Sequence, residues 1–194
     1  MIGVRLAAPR RAARVTGLIL GAALLRALVL PAGDLLSTIV FAGCLLAVSW
    51  FERTAPTLTS PKGGAKLAGW QSLVAGLMVG AVMLAPVVSG PLTSRPLGAF
   101  WPWAAMAAVV ATLEETSIRG VLYRRWAGEA GTVAANVVGA AVFALIHLPR
   151  YGIGAMPLDA AIGLALGGLR ALTGRVLPCA VAHTVADWGA WFWA

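Results

Sequence analysis

Charge is what this chain has least of. Only 11% of its 194 residues are Asp, Glu, Lys or Arg, against about 25% in an ordinary soluble domain. With 60% hydrophobic residues and a mean hydropathy of +0.86, that scarcity excludes a soluble globular fold. Two cysteines, Cys44 and Cys179, both in apolar runs, exclude a disulfide framework, and Cys179 reads as a small buried hydrophobe. No internal repeat is evident, which argues against an inverted-repeat transporter. No low-complexity tail is evident either, so residues 1–194 read as one domain with a motif-bearing core at about 100–190. Histidine is confined to His147 and His183, so any imidazole chemistry belongs to those two positions.

What is abundant is apolar sequence in long runs. About seven segments are expected to cross a bilayer, at 14–31, 34–51, 67–89, 100–125, 131–149, 157–173 and 176–193, each near the ~20 residues a spanning helix needs. The fold class is therefore an all-α, polytopic membrane bundle. The turns fall at Pro31 to Gly33, Thr54 to Gly64, Ser89 to Pro91, Gly128 to Gly131, and Thr173-Gly174. The first run follows Arg5, Arg10, Arg11 and Arg14 and is expected to stay as a helix or signal anchor, since no small-residue cleavage site ends it.

The net charge of +8 would point to nucleic acid in a soluble protein. Here most of the basic residues lie between apolar runs and set topology, so no nucleic acid is expected. The positive-inside rule places the N-terminus in the cytoplasm of a multi-pass cytoplasmic-membrane protein, with Arg95 and Arg150 on the opposite side as exceptions. Trp188, Trp191 and Trp193 suit an interfacial aromatic belt, and Tyr123 with Arg124 and Arg125 suits an interfacial anchor. Small-xxx-small pairs, Gly17/Gly21, Gly76/Gly80, Ala135/Gly139 and Gly163/Gly167, are candidate close helix contacts. Asn136 reads as interhelical glue.

Against this background the buried polar residues stand out. An ionisable residue within a membrane span is a functional-site hypothesis by default, and the chain reads Leu113-Glu114-Glu115-Thr116-Ser117-Ile118-Arg119 inside an apolar run. Glu115 and Arg119 are i,i+4 neighbours, as are Phe143 and His147, and His183 and Asp187. Glu114 points about 100° round its helix from Glu115. If the fourth and fifth helices form a hairpin turning at 128–131, Glu114 and His147 are equidistant from the turn and lie at one depth. That levelling requires the fourth helix to continue past Arg119 to about Arg125.

A carboxylate in a low-dielectric site is a stronger base than in water, and beside an imidazole it can deprotonate a water for attack on a carbonyl. Arg119 would pair with Glu115 and fix the local geometry, although the same pair also fits a purely structural ion pair. His183, with a hydrogen-bonding partner at Asp187, would stabilise the oxyanion. Phe143 reads as a pocket wall. Peptide hydrolysis within the membrane is the natural chemistry.

Taken together, Glu114-Glu115-x-x-x-Arg119, Phe143-x-x-x-His147 and His183-x-x-x-Asp187 resemble the three motifs of the CPBP family, the CAAX-protease and bacteriocin-processing (Abi) intramembrane endopeptidases. The run Gly163 to Gly167 with Thr173-Gly174 is also similar, and the likeness covers roughly residues 100–190. The resemblance implies a membrane protease in which Glu114 and His147 activate water, His183 and Asp187 supply the oxyanion site, and no cofactor is needed. Asp187 departs from the Asn of the best-studied CAAX members. It implies as partners a lipid bilayer and a membrane-associated, hydrophobic or lipidated protein or peptide. Two alternatives stand beside it: a zinc protease with His147, His183 and Glu114 or Asp187 as ligands, and a non-catalytic membrane immunity or binding protein of the same fold.

Overall fold

The computed structural model describes residues 10–53, 67–85 and 99–193, and among them there is helix and no strand. The helices are α1 (Arg10–Val29), α2 (Asp34–Arg53), α3 (Gly69–Met83), α4 (Phe100–Glu115), α5 (Tyr123–Tyr151), α6 (Met156–Thr173) and α7 (Leu177–Trp193). The turns expected at 54–64 and 89–91 lie outside the described residues. Four helical stretches are long and apolar enough to cross a membrane: Arg11–Ala32, Asp34–Glu52, Phe100–Tyr151 and Ile153–Thr173. The expected count of about seven is thus not confirmed. The helices α3 and α7 have 15 and 17 residues, short of the ~20 that a span requires.

Large side chains face outward in a way water would penalise: Leu28, Phe51, Trp70, Val82 and Trp101 are among the exposed hydrophobics. In lipid such a surface is the stable one. Inside, Ile19 of α1, Phe41 and Leu45 of α2, Ile118 and Leu122, Phe143 and Ile146 of α5, Leu166 of α6 and Cys179 of α7 form one core.

Between α4 and α5 the chain does not turn. Residues Thr116–Leu122 form a π-helical segment, and helix runs on to a break at Gly131, where φ is 88° and ψ 168°. Only glycine adopts that backbone readily. The turn is therefore narrower than the expected 128–131, and the fourth helix does continue past Arg125. Gly174 closes α6 in the left-handed conformation, its N–H donating to the Arg170 carbonyl, as a C-terminal cap demands.

Close packing sorts the small-residue pairs. A Cβ on Gly76 would meet the Pro178 backbone of α7, and one on Gly80 the Ala182 backbone. Gly163 lies against Ala140 of α5, and Gly167 against the Asn136 side chain. Gly17 and Gly21 face open space, so the expected contact there is not made, and Gly139 meets Ile118 only at ordinary distance. Asn136 packs between helices, yet its Oδ1 is sealed with no hydrogen-bond partner among the described residues.

Other expectations need correction. Tyr123 and Arg125 are buried and are not interfacial anchors. Arg125 pairs with Glu52 of α2 at 3.0 Å, and Tyr123 lies under the Arg170 guanidinium. Trp191 is buried against Trp103, with ring centroids 4.8 Å apart. Trp188 donates from Nε1 to the Ala104 carbonyl at 2.9 Å. These two tryptophans fasten α7 to α4. Arg150, an exception to the charge rule, pairs with Asp34.

Candidate active site

Three helical segments deliver the polar residues to one place. The end of α4 brings Glu114 and Glu115, 3% and 0% exposed, and the π-helical segment follows at once. Such wide turns occur often at functional sites. The fifth and seventh helices bring His147 and His183.

Glu115 is the hub. Its Oε1 accepts from Arg119 Nη1 at 3.0 Å and from His183 Nδ1 at 3.1 Å. Arg119 in turn donates from Nη2 to the Gly163 carbonyl at 3.0 Å, and its guanidinium covers the Phe143 ring at 4.7 Å. Arg170 Nε donates to the Arg119 carbonyl at 2.9 Å, supporting the π-helical backbone from α6. A charge buried this deeply is tolerated only when paired and hydrogen-bonded, and Arg119 meets both conditions.

The histidines are oriented alike. His147 Nδ1 donates to the Phe143 carbonyl at 2.8 Å, since a carbonyl only accepts. Its Nε2 then faces Glu114 Oε2 at 3.9 Å. His183 uses Nδ1 for Glu115, and its Nε2 faces the same Glu114 oxygen at 3.8 Å. Both imidazoles thus pin one nitrogen and aim the other at Glu114. The expected hydrogen bond between His183 and Asp187 is not made: Asp187 Oδ2 stands 3.8 Å from His183 Nε2, beyond hydrogen-bonding range. The i,i+4 spacing brings these two near, but a carboxylate from another helix takes the imidazole N–H.

Phe143 is buried under the site, its ring 4.4 Å from that of His147 and 5.3 Å from that of His183. It supports the two imidazoles rather than lining an opening. Tyr151 stacks on the other face of this region, 5.7 Å from His147 and nearly parallel. The surface groove over Thr132, Val133, Asn136, Val137 and Ala171 holds none of these residues.

The donor set also suits a metal ion. One atom each from Glu114, His147 and His183 lies within 4.8 Å of the other two. Both imidazoles present an unprotonated Nε2 when their Nδ1–H is engaged, which is how metal-binding histidines are usually held.

Two charged residues near the site carry no motif. Asp159, in the first turn of α6, is buried with Oδ2 sealed and unpartnered among the described residues, and it interacts electrostatically with His147, His183 and Glu114. Arg26 of α1 interacts likewise with Glu114. Both lie within expected spans, where any ionisable residue is a candidate, but neither has a partner at helical spacing to single it out.

Residues 96–189 match the family model described as Type II CAAX prenyl endopeptidase Rce1-like. No curated protein and no solved structure matches the chain.

Proposed function

Since residues 96–189 form a Rce1-like type II CAAX prenyl endopeptidase domain of the CPBP/Abi family, we propose that this chain hydrolyses a peptide bond near the C-terminus of a lipidated, membrane-associated protein, with Glu114 as the base that activates water. The coarser frame is that of an integral membrane protein of an intramembrane endopeptidase family, whose substrate is membrane-associated. The observation that carries the finer reading is the convergence of both histidine Nε2 atoms on Glu114 Oε2, at 3.9 and 3.8 Å. Those separations exceed a direct hydrogen bond and suit a water held by the carboxylate and an imidazole together.

Glu114, with the His147 lone pair alongside, takes a proton from that water as its oxygen bonds to the scissile carbonyl carbon. As an imidazolium, His183 donates Nδ1–H to Glu115 and turns Nε2–H to the oxyanion, a preorganised donor aimed at developing charge. The proton held at Glu114 or His147 passes to the departing amine as the C–N bond breaks. Arg119 is a positioning residue: it holds Glu115, which holds His183.

The donor set of Glu114, His147 and His183 favours a second reading, a zinc-dependent protease. The residues fit: three ligands with pinned outer nitrogens. Zinc bound there would acidify a water and polarise the carbonyl, while Glu115 and the Phe143 carbonyl would orient the two histidines.

Cleavage of an S-farnesylated peptide in liposomes, by wild type, Glu114→Ala and His147→Ala, with and without a strong chelator, separates the readings. Activity lost in both variants and indifferent to chelator supports the metal-free route. Loss to chelator with recovery on adding zinc supports the metal. Wild type without turnover on any lipidated peptide overturns the protease assignment in favour of a binding protein.

A further inference from the structure

The two histidines of the site are not held equally. His183 gives its Nδ1–H to Glu115, a carboxylate that Arg119 holds in turn. Among the described residues His147 has the Phe143 carbonyl of its own helix alone, at 2.8 Å. One hydrogen bond is a pivot. Glu114, 3.9 Å away, is too far to give the ring a second one. His147 is also the most open of the three side chains that face one another, 12% exposed against 7% for His183 and 4% for Glu114. The imidazole with the weaker hold is thus the one nearest the exterior, and its direction depends on the rings packed against it.

Two rings flank it. Residues 143, 147 and 151 are successive i,i+4 positions on one face of α5, so the imidazole stands between Phe143, one turn before it, and Tyr151, one turn after. The Phe143 ring is 4.4 Å away and 2% exposed, while the Tyr151 ring is 5.7 Å away at an interplanar angle of 16° and 58% exposed. The Tyr151 separation is that of a favourable stacked pair. Phe143 is therefore the inner wall and Tyr151 the outer one. Tyr151 is the last residue of α5, and helix ends commonly fray. This end is tied down on both sides. Gly152, at φ 76°, turns the chain and returns its N–H to the Leu148 carbonyl. The Arg150 guanidinium stands over the Tyr151 ring at 5.8 Å, within cation–π range, and pairs with Asp34 at the start of α2. Core packing does not account for a ring that is more than half exposed.

We propose that Tyr151 is a positioning residue for His147: its ring closes the outer face of the imidazole and confines it to the tilt that aims Nε2 at Glu114. The inference rests on the endopeptidase reading for the part His147 plays. It serves water activation and zinc binding alike, since both need that nitrogen on the Glu114 side. The ring acts and the phenol hydroxyl does not, so Tyr151 reaches the reacting atoms only through His147. The Phe143-x-x-x-His147 spacing supplies the inner wall and leaves the outer one unassigned.

The chain has two histidines, which makes diethyl pyrocarbonate a direct probe. Modification is read at each by peptide mass spectrometry on full-length protein without a histidine tag, in nanodiscs with chelator present. Tyr151→Leu removes the ring, and Tyr151→Phe keeps it without the hydroxyl. In Tyr151→Leu the modification rate of His147 should rise about 2- to 10-fold, the energy of an aromatic pair converted to a ratio. That of His183 should stay at the wild-type value. Cleavage of the S-farnesylated peptide should lose kcat by a similar factor with KM unchanged, and Tyr151→Phe should restore both readouts.

An unchanged His147 rate in Tyr151→Leu overturns the proposal. So does a rise at both histidines with a lower Tm, which would give the ring a general structural role. A faster His147 with kcat unchanged would leave Tyr151 a mere shield, and a higher KM at unchanged kcat would make it a wall for substrate. Failure of Tyr151→Phe to restore would assign the role to the hydroxyl. Each of these results also overturns it. A selective rise at His147 in a protein that cleaves no peptide keeps the hold of Tyr151 on His147 and discards the endopeptidase reading.

Discussion

A single oxygen, Glu115 Oε1, serves both Arg119 and His183, while Glu114 pairs with no arginine among the described residues. The two adjacent carboxylates should therefore fail differently. Glu115→Gln leaves Arg119, 1% exposed, as a buried charge without its partner, a loss of about 3–5 kcal/mol. It also weakens the acceptor that orients His183. Thermal unfolding in detergent should show a large fall in Tm together with lost activity. Glu114→Gln breaks no arginine ion pair among the described residues, and His183 keeps Glu115, so Tm should stay near wild type while peptide cleavage drops roughly 10²–10⁴-fold, as loss of a general base does. Equal Tm losses in both variants would contradict this division of labour. Much of the site was legible because its spacings are helical: Glu114 and His147 share a depth once the turn near residue 130 is recognised. The partner of His183 was misread because the closest carboxylate in sequence, Asp187, loses to one delivered by α4. Arg26 and Asp159 were flagged only by being ionisable within a span, since only the fold shows what a lone charge faces.

At the scale of helices, packing depends on two glycine stripes and not on the other two. A Cβ at Gly163 would stand 2.7 Å from the Ala140 Cα, so Gly163→Ala must push α6 from α5. Overpacking of this kind costs about 1–3 kcal/mol. Because the Gly163 carbonyl accepts from Arg119, cleavage should fall as well as Tm. Gly17→Ala meets nothing within 4 Å and removes a flexible residue from a helix, so it should leave Tm unchanged or raise it by up to about 1 kcal/mol of stability. A Tm comparison of the two variants checks both. Small-xxx-small spacing cannot tell these pairs apart, because it records which residues permit close approach and not which neighbour arrives. The helices themselves were readable from their apolar runs, within a few residues at most ends. The π-helical segment was not: Thr116 to Leu122 has no composition of its own, and its wide turn is held by Arg170 of α6 and by Ser49 of α2, whose Oγ lies 2.9 Å from Ser117 Oγ.

Across the whole molecule, polar ties fasten α1 and α2, which lie outside residues 96–189, to the segment that carries the motifs. Glu52 takes Arg125 through Oε2 at 3.0 Å and Arg14 through Oε1. Trp126 donates from Nε1 to Thr16 Oγ1 at 3.1 Å, and Glu129 accepts the Ala12 N–H at 3.2 Å, closing an orphan donor in the first turn of α1. The two cations on Glu52 are unequal. Arg125 is 8% exposed and Arg14 62%, so solvent can replace the contact of Arg14 but not that of Arg125. Arg14→Ala should therefore cost under about 1 kcal/mol, whereas Glu52→Gln, which takes this carboxylate from a buried guanidinium, should cost about 3–5 kcal/mol. Thermal unfolding measures both. If Glu52→Gln unfolds no earlier than Arg14→Ala, the N-terminal helices are held by apolar packing alone. A selective loss would instead make α1 and α2 structural parts of the enzyme.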